Sequence, residues 1–363
     1  MSFNNIYADK TVLITGHSGF KGSWLSLWLK QMGAKVVGYS LLPDTEKRLY
    51  DVLDLEHTLN DSLIADIRDE KTLKSYFGKH NPDIVFHLAA QPIVRFSYIE
   101  PVLTYDTNVI GTLKVLEAAR QTPSVKAFVN VTTDKCYENK ERKEGYREDE
   151  PFGGYDMYSS SKGCSEILSS SYRRSFLKDG KPFALATARA GNVIGGGDWA
   201  KDRLIPDCIR AFQKNETVFI RNPLSTRPWQ LVLEPLAGYL RLGQKLLECG
   251  AMYATGYNFG PEMNNDVKVC EVAKRVSEVW GNGKVEVGKA DDLHEASFLQ
   301  LNIEKAEKEL GIKPVYTAAE AISITTIWYK HFYSGSMDMK VFSKEQIDDF
   351  VAAARNKNLD WSR

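Results

Sequence analysis

Six short runs rich in β-branched and aromatic residues, separated by longer amphipathic stretches, constrain this chain more than any other feature. They are TVLIT (11–15), KVVGYS (35–40), SLIAD (62–66), DIVFHLAA (83–90), AFVNVT (127–132) and FALATARA (183–190). Near-continuous apolar runs of this length read as strands buried on both faces. Helical periodicity fills the intervals at 20–32, 69–79, about 101–121 and about 156–178. Strand and helix in alternation imply parallel pairing through right-handed crossovers. The expected fold class is therefore α/β, a doubly wound parallel sheet of Rossmann type. Its ligands belong at the carboxyl ends of the strands.

After about residue 190 the rhythm loosens. GNVIGGGDWAKDRL reads as a loop, LIPDCIRAFQK as a helix, TVFI as a strand and VLEPLAGYLRLGQKLLE as a helix. GYNFG then ends a strand and VKVCEVAKRVSEVW is a further helix. These suggest a smaller, partly interleaved C-terminal α/β domain, as a chain of 363 residues allows. We expect residues 1–190 to form the cofactor domain, with about 228–258 returning to it, and 191–363 to serve mainly the substrate. The tail SKEQIDDFVAAARNKNLDWSR reads as a polar helix without an evident role.

The 47 basic and 47 acidic residues give no global basic field, which argues against a nucleic-acid partner. Five scattered cysteines (136, 164, 208, 249, 270) form no CxxC pair and read as reduced thiols, with no metal site expected. The N-terminus MSFNNIYADK is polar, and the apolar stretch from Phe20 to Gly33 is too short and too polar to span a bilayer. A soluble, cytoplasmic chain with no membrane partner is the expectation.

TGHSGFKG (15–22) follows the first strand and opens a helix, with Gly16, Gly19 and Gly22 spaced GxxGxxG. The first glycine permits the tight turn, the second lets backbone approach a pyrophosphate, and the third packs helix on strand. The helix N-terminus adds free N–H groups and partial positive charge. This placement predicts a dinucleotide site, with Phe20 and His17 as further candidates in the same turn. His17 either packs on the turn or touches a ribose or phosphate. The second strand ends in Tyr39 and Ser40, where an acid commonly holds the ribose of NAD, and no Arg follows before Arg48. NAD against NADP is open on spacing alone. At the third strand, Asp66 is a candidate for the adenine amino group and Ile67 for its ring. The alternative for Asp66 is a helix N-cap, a role that Asp69 fits better. Ala89 and Ala90, ending the fourth strand, would let backbone approach the cofactor.

YSSSK places Tyr158 and Lys162 four apart on one helix face. A phenol with a solution pKa near ~10 is a poor base at neutral pH. A nearby ammonium and a nicotinamide cation both favour the phenolate, which suits proton abstraction from a hydroxyl as hydride leaves its carbon. Thr133, ending the fifth strand, offers a hydroxyl to the same oxygen.

The stretches TGHSGFKG, HLAAQ, TTDK, YSSSK and GNVIGGGD resemble the extended short-chain dehydrogenase/reductase family over nearly the whole chain. The Asp after Thr133 resembles the nucleotide-sugar 4,6-dehydratases. GHSGFKGSWL, TTDKCYEN and YSSSKGCSE are similar to members acting on CDP sugars. The resemblance implies NAD as cofactor and a nucleotide-sugar substrate. It also implies an internal redox elimination, in which hydride leaves C4, water leaves C6 and the hydride returns to C6. Tyr158, supported by Thr133 and Lys162, would take the 4-hydroxyl proton, and Asp134 would be the acid at the C6 oxygen. Lys135 stands where the common Thr-Asp-Glu pattern has its C5 base, and serves as a base only when neutral, against a solution pKa of ~10.4. A dry site would favour the neutral Asp134–Lys135 tautomer over separated charges. With a Lys in place of that Glu, and no acid at strand two, weaker NAD⁺ binding than in Glu-bearing relatives is expected.

The resemblance also implies Arg227 as the pyrophosphate contact and Asn192 near the substrate phosphate. Arg203 and Arg221 are further anchors, or surface charges. Trp199, Trp229, His87, Cys136 and Tyr137 read as packing or structural residues, and His294 as a surface one. Asn108 would shape the active-site helix. Its helix, with an apolar pattern at Val109, Leu113 and Leu116, would form the face of a homodimer or homotetramer together with the Tyr158 helix. The rival expectations are an epimerase or another nucleotide-sugar dehydratase of the same family, and a non-catalytic NAD(P)-sensing protein.

Overall fold

The computed structural model describes residues 2–142, 144–220, 222–262, 267–288 and 299–363. Seven strands build one sheet: β1 (Thr11–Thr15), β2 (Lys35–Ser40), β3 (Asp61–Ile64), β4 (Ile84–His87), β5 (Ala127–Val131), β6 (Ala184–Ala190) and β7 (Gly256–Phe259). Their order is β7-β6-β5-β4-β1-β2-β3, and every neighbouring pair is parallel. Thr15 pairs with both Tyr39 and His87, so the carboxyl ends of the three central strands stand level. The period-two alternation of a strand sorts residues between two cores. Val12, Ile14, Ile84 and Phe86 enter the larger cluster, while Leu13, Val37, Val85 and Phe128 enter the smaller one on the opposite face.

The crossovers are helical: α1 (Phe20–Gln31), α2 (Glu70–His80), α3 (a continuous run over 101–120) and α4 (Met157–Phe176). Asp69 caps α2, its carboxylate accepting from Thr72 N at 3.2 Å. Two departures from the sequence pattern stand out. β4 stops at His87, so Leu88 to Ala90 line the rim of the sheet instead of extending it. Within α3, Asp106–Gly111 forms a π turn, whose extra residue rotates the remainder of the helix relative to ideal periodicity. Leu116 consequently lies in the core and Leu113 packs against it, so these two do not form the exposed face that regular spacing suggested.

Beyond β6 come α5 (Leu204–Gln213), α6 (Leu233–Cys249) and α7 (Val269–Trp280). α6 lies against β5 and β6 and leads into β7. A parallel ladder joins Thr217–Ile220 to Lys284–Val287, and Val193–Ile194 pairs with Gln230–Leu231. Two further helices, α8 (Ala318–Ser334) and α9 (Met339–Asn356), complete the chain. The polar-looking tail has a packing role: α9 buries Ile347, Phe350 and Ala354, and Trp361 stacks on Phe3 with ring centroids 5.2 Å apart. Asn4 N donates to Arg363 O at 3.1 Å, tying the two ends together. No helix among the described residues is long and apolar enough to cross a membrane.

Candidate active site

The turn after β1 has the geometry of a dinucleotide cradle. Gly16 adopts φ +80°, a conformation that disfavours any side chain. A Cβ on Gly16 would meet Ala89 N at 2.6 Å, and one on Gly22 would meet Gly16 O at 2.0 Å. Gly19 is the N-cap of α1 and has no side-chain cap, so the helix N-terminus keeps its N–H groups for a ligand. These backbone contacts, all too close for side chains, fit the pyrophosphate of a dinucleotide.

Around that turn, side chains fix the strand ends. The His17 ring is fully buried, with Nε2 2.7 Å from Ser62 Oγ, and a Cβ on Gly38 would strike it at 2.3 Å. Burial pushes His17 down to about 4, so it is neutral, and its ring packs edge-on against Tyr50 with centroids 5.5 Å apart. The Phe20 ring lies beside Gly195. Ser18 Oγ is 2.9 Å from Ser40 Oγ and donates to Leu41 O, which puts hydroxyls where an acid was missing at the end of β2. Asp66 is engaged by Arg68, which donates from Nη2 at 2.6 Å and from its main-chain N at 2.8 Å. Ile67 is buried against Gly111 of the π turn. Ala89 and Ala90 are half-buried at the rim. His87 sits below them: Thr112 Oγ1 donates to Asn108 O, so it accepts from His87 Nε2 at 3.0 Å, and Nδ1 accepts from Thr15 Oγ1 at 2.6 Å. Asn108 in turn donates to Gln91 O and Ser161 Oγ, joining the π turn to the active-site helix.

β5 delivers Thr133, Asp134 and Lys135 into a single 3₁₀ turn. Thr133 Oγ1 donates to Asp134 Oδ1 at 2.9 Å and accepts from Lys135 N at 3.4 Å. Asp134 is buried, which raises its pKa, opposed by the positive charge of Lys135, the Thr133 hydrogen bond and Lys21. Gly191 makes room for it, since a Cβ there would lie 2.6 Å from Asp134 Oδ2. Lys135 is half-buried.

α4 carries the other two groups. Its N-cap Asp156 accepts from Ser159 N at 2.8 Å, setting the first turn in which Tyr158 lies. Burial pushes the Tyr158 phenol up to about 12, with the Thr133 hydroxyl and Arg203 pulling down and Asp134 pushing up. The sequence reading drew on the Lys162 ammonium together with a nicotinamide cation; in the protein alone, desolvation outweighs its own cations. Lys162 is buried, donates to Val131 O at 3.2 Å, and is lowered to about 8 by that burial, with Glu166 opposing.

On the substrate side, Arg203 pairs with Asp198 at 2.6 Å and lies in the electrostatic field of Tyr158 and Lys21. Asn192 is half-buried and its carbonyl accepts from Gln230 N at 3.1 Å. Arg227 belongs to a two-residue antiparallel ladder with Val267 and donates to Thr226 O at 2.8 Å. Its neighbour Pro228 is 3.6 Å from the Cβ position of Gly191, which brings this strand next to Asp134. Arg221 and His294 lie outside the described residues. Trp199 packs among Trp328, Tyr329 and Phe332, and Trp229 donates to Val267 O at 3.2 Å.

Sequence reasoning overlooked Lys21 and read Tyr137 as packing alone. Lys21 is lowered to about 8 by desolvation and by Arg203; its Nζ donates to Tyr239 Oη at 3.4 Å. A lysine among the apolar residues opening α1 was the available signal. Tyr137, read as packing, donates to Asn258 Oδ1 at 2.8 Å and accepts from Arg189 Nη1.

Residues 13–325 match the family model described as GDP-mannose 4,6 dehydratase. Over 355 residues the chain is 47% identical to the CDP-glucose 4,6-dehydratase of Salmonella typhimurium, covering 96% of this chain and 98% of that enzyme. It is 27% identical to the human dTDP-D-glucose 4,6-dehydratase, covering 88% of this chain and 90% of that protein. Among solved structures, UDP-glucose 4-epimerase of Thermotoga maritima superposes with a TM-score of 0.77 at 22% identity, covering 89% of this chain and 99% of that one. The dTDP-glucose 4,6-dehydratase of Bacillus anthracis, solved in complex with NAD, gives 0.72 at 23% identity, covering 88% and 96%.

Proposed function

The chain belongs to the nucleotide-sugar 4,6-dehydratases of the extended short-chain dehydrogenase/reductase family, and on that premise we infer that it is an NAD-dependent CDP-glucose 4,6-dehydratase. It converts CDP-D-glucose to CDP-4-keto-6-deoxy-D-glucose with loss of water. The near-full-length identity to the Salmonella enzyme carries this reading. The epimerase reading rests on fold likeness at low identity, which fixes architecture and not chemistry.

NAD⁺, held by the turn of Gly16, Gly19 and Gly22 with the Ala89–Ala90 rim, supplies a hydride acceptor and donor and, as a cation, favours the phenolate. Tyr158 takes the proton of the sugar 4-hydroxyl, and Thr133 holds the same oxygen. Lys162 adds positive charge below it. The ketone formed at C4 acidifies C5–H, which Lys135 removes while Asp134 gives its proton to the departing C6 oxygen. Burial raises the Asp134 pKa, toward the protonated form that such a donation needs. Arg203 and Arg227, with Arg221, are the cations assigned to the substrate diphosphate, beside Asn192.

We place the enzyme in the cytoplasm, as a homodimer or homotetramer through the exposed faces of α3 and α4, in deoxysugar biosynthesis of the kind that feeds lipopolysaccharide O-antigen. The decisive experiment incubates the chain with NAD⁺ and CDP-glucose deuterated at C4. Deuterium recovered at C6 of a 4-keto-6-deoxy product is the expected result. Label retained at C4 of an epimerised sugar, or no turnover of CDP-glucose while dTDP- or GDP-hexose is dehydrated, would overturn it.

A further inference from the structure

Directly beneath the Thr133–Lys135 turn lies an ion pair that the chemistry above does not use. Glu166 and Arg189 are 1% and 3% exposed. Glu166 Oε1 accepts from Arg189 Nε at 2.9 Å and Thr132 Oγ1 at 2.5 Å, and its Oε2 accepts from Arg189 Nη2 at 2.9 Å and Thr187 Oγ1 at 2.7 Å. Arg189 Nη1 continues to Tyr137 Oη and to Glu148 O at 3.2 Å. Thr132 is the residue before Thr133, and Tyr137 follows Lys135 by two. One ion pair therefore holds both ends of the reacting turn.

The same carboxylate stands one helical turn from Lys162, at i+4 on α4. The titratable groups in electrostatic contact with Lys162 are Glu166 on its own helix, Cys136 from the turn, His87 from β4 and Lys21 from α1. Burial keeps the Cys136 thiol protonated and His87 neutral, and Lys21 is itself basic. Glu166, held ionised by Arg189, is thus the anion of this set. A fully buried pair is weak evidence for stability, because desolvation offsets the attraction. Its geometric effect is specific: it joins β5, β6, α4 and the catalytic turn through fixed bonds.

We propose that Glu166 and Arg189 are positioning residues for the dehydration, pinning the Thr133–Lys135 turn and supplying the fixed negative charge beneath Lys162. The proposal rests on the dehydratase reading. Its test uses the full chain with Glu166→Gln, Glu166→Gln/Arg189→Met and Thr132→Val. Loss of the Glu166 charge lets Lys162 deprotonate at lower pH, so the alkaline limb of kcat moves down. In Glu166→Gln we expect kcat to fall about tenfold near neutral pH, KM for CDP-glucose to stay within about twofold, and the limb to shift by about one unit. The double variant removes the orphaned cation and regains thermal stability, while the limb stays shifted. Thr132→Val lowers kcat and leaves the limb in place.

The pH dependence of NADH affinity, read by nicotinamide fluorescence, reports the same lysine without any sugar. A wild-type chain inert on CDP-glucose whose NADH limb still shifts in Glu166→Gln would refute the substrate reading and support the positioning role. Variants that lose only thermal stability, with both limbs and kcat as in wild type, would overturn the proposal.

Discussion

Tyr158 can act as a base only as the phenolate, and in this protein burial pushes the phenol up to about 12. Thr133 and Arg203 offset only part of that effect. In the proposed mechanism the remaining positive charge would arrive with the cofactor, which would tie the first proton transfer to NAD⁺ binding. The acid role proposed for Asp134 makes the opposite demand, because a general acid must be protonated, and burial raises its pKa toward that form. Lys135 carries the open chemistry, since a lysine removes the C5 proton only when neutral. Asp134→Asn should lower product formation by about 10²–10⁴-fold, the usual contribution of a general acid, while reduced nicotinamide still accumulates transiently from C4 oxidation. Lys135→Ala should abolish solvent deuterium exchange at C5 of the 4-keto intermediate, and Lys135→Glu should restore it; exchange that persists in Lys135→Ala removes Lys135 from the base role. Thr133, Asp134, Tyr158 and Lys162 were legible in the sequence because their order along the chain is also their geometry: two share one turn with Lys135, and two share one helix face. Lys21 left only its place among apolar residues as a signal, because its hydrogen-bond partner Tyr239 is 218 residues away.

The strand-turn-helix unit from β1 to α1 shows how local sequence becomes a binding element. Gly22 has no latitude, since a Cβ would sit 2.0 Å from the Gly16 carbonyl, whereas one on Gly19 would lie 3.4 Å from the same oxygen in ordinary contact. Gly22→Ala should therefore force backbone from backbone and cost about 1–3 kcal/mol in stability, as overpacked sites do. Gly19→Ala should fold with nearly wild-type thermal stability, yet lose most of the melting-temperature rise on adding NAD⁺, as the proposed approach of this backbone to the pyrophosphate requires. Equal NAD⁺-induced shifts in wild type and Gly19→Ala would show that the second glycine does not approach the cofactor. The strands and most helices were legible from period, since the inner strands are buried on both faces and α2 to α4 keep an exposed side, whereas the edge strand β3 is only half-buried and α1 is buried from Gly22 to Leu29. The π turn in α3 was not: nothing in DTNVIG marks one extra residue per turn, and its cause is tertiary, through Asn108 bridging Gln91 and Ser161. That single insertion moved the expected apolar face.

For the molecule as a whole, the sequence conveyed the sheet but not its closure. Phe3, Trp28, Phe350 and Trp361 form one aromatic group from three distant parts of the chain, so the role of the polar-looking tail depends on contacts that no local pattern contains. A related lesson concerns assembly. With Leu116 in the core, the apolar surface on α3 and α4 is carried by Val102 (79% exposed), Ile110 (43%) and Ile167 (55%), with Met157 and Phe176 exposed at the two ends of α4. These helices pack side by side and carry the π turn and the Tyr158–Lys162 face, so a partner seated on them would also stiffen the catalytic helix. A stable dimer buries roughly 1,200–2,000 Å² in total, with its energy concentrated in a few central apolar residues. We therefore predict that the wild-type chain sediments at twice its 40.9 kDa mass or a higher even multiple. Ile167→Glu, which places an unpaired carboxylate in that surface, should shift the population toward monomer and lower kcat by destabilising α4 in the same concentration range. A wild-type chain that remains monomeric at micromolar concentration, or an Ile167→Glu variant with unchanged sedimentation, would show that this surface faces solvent in the working enzyme.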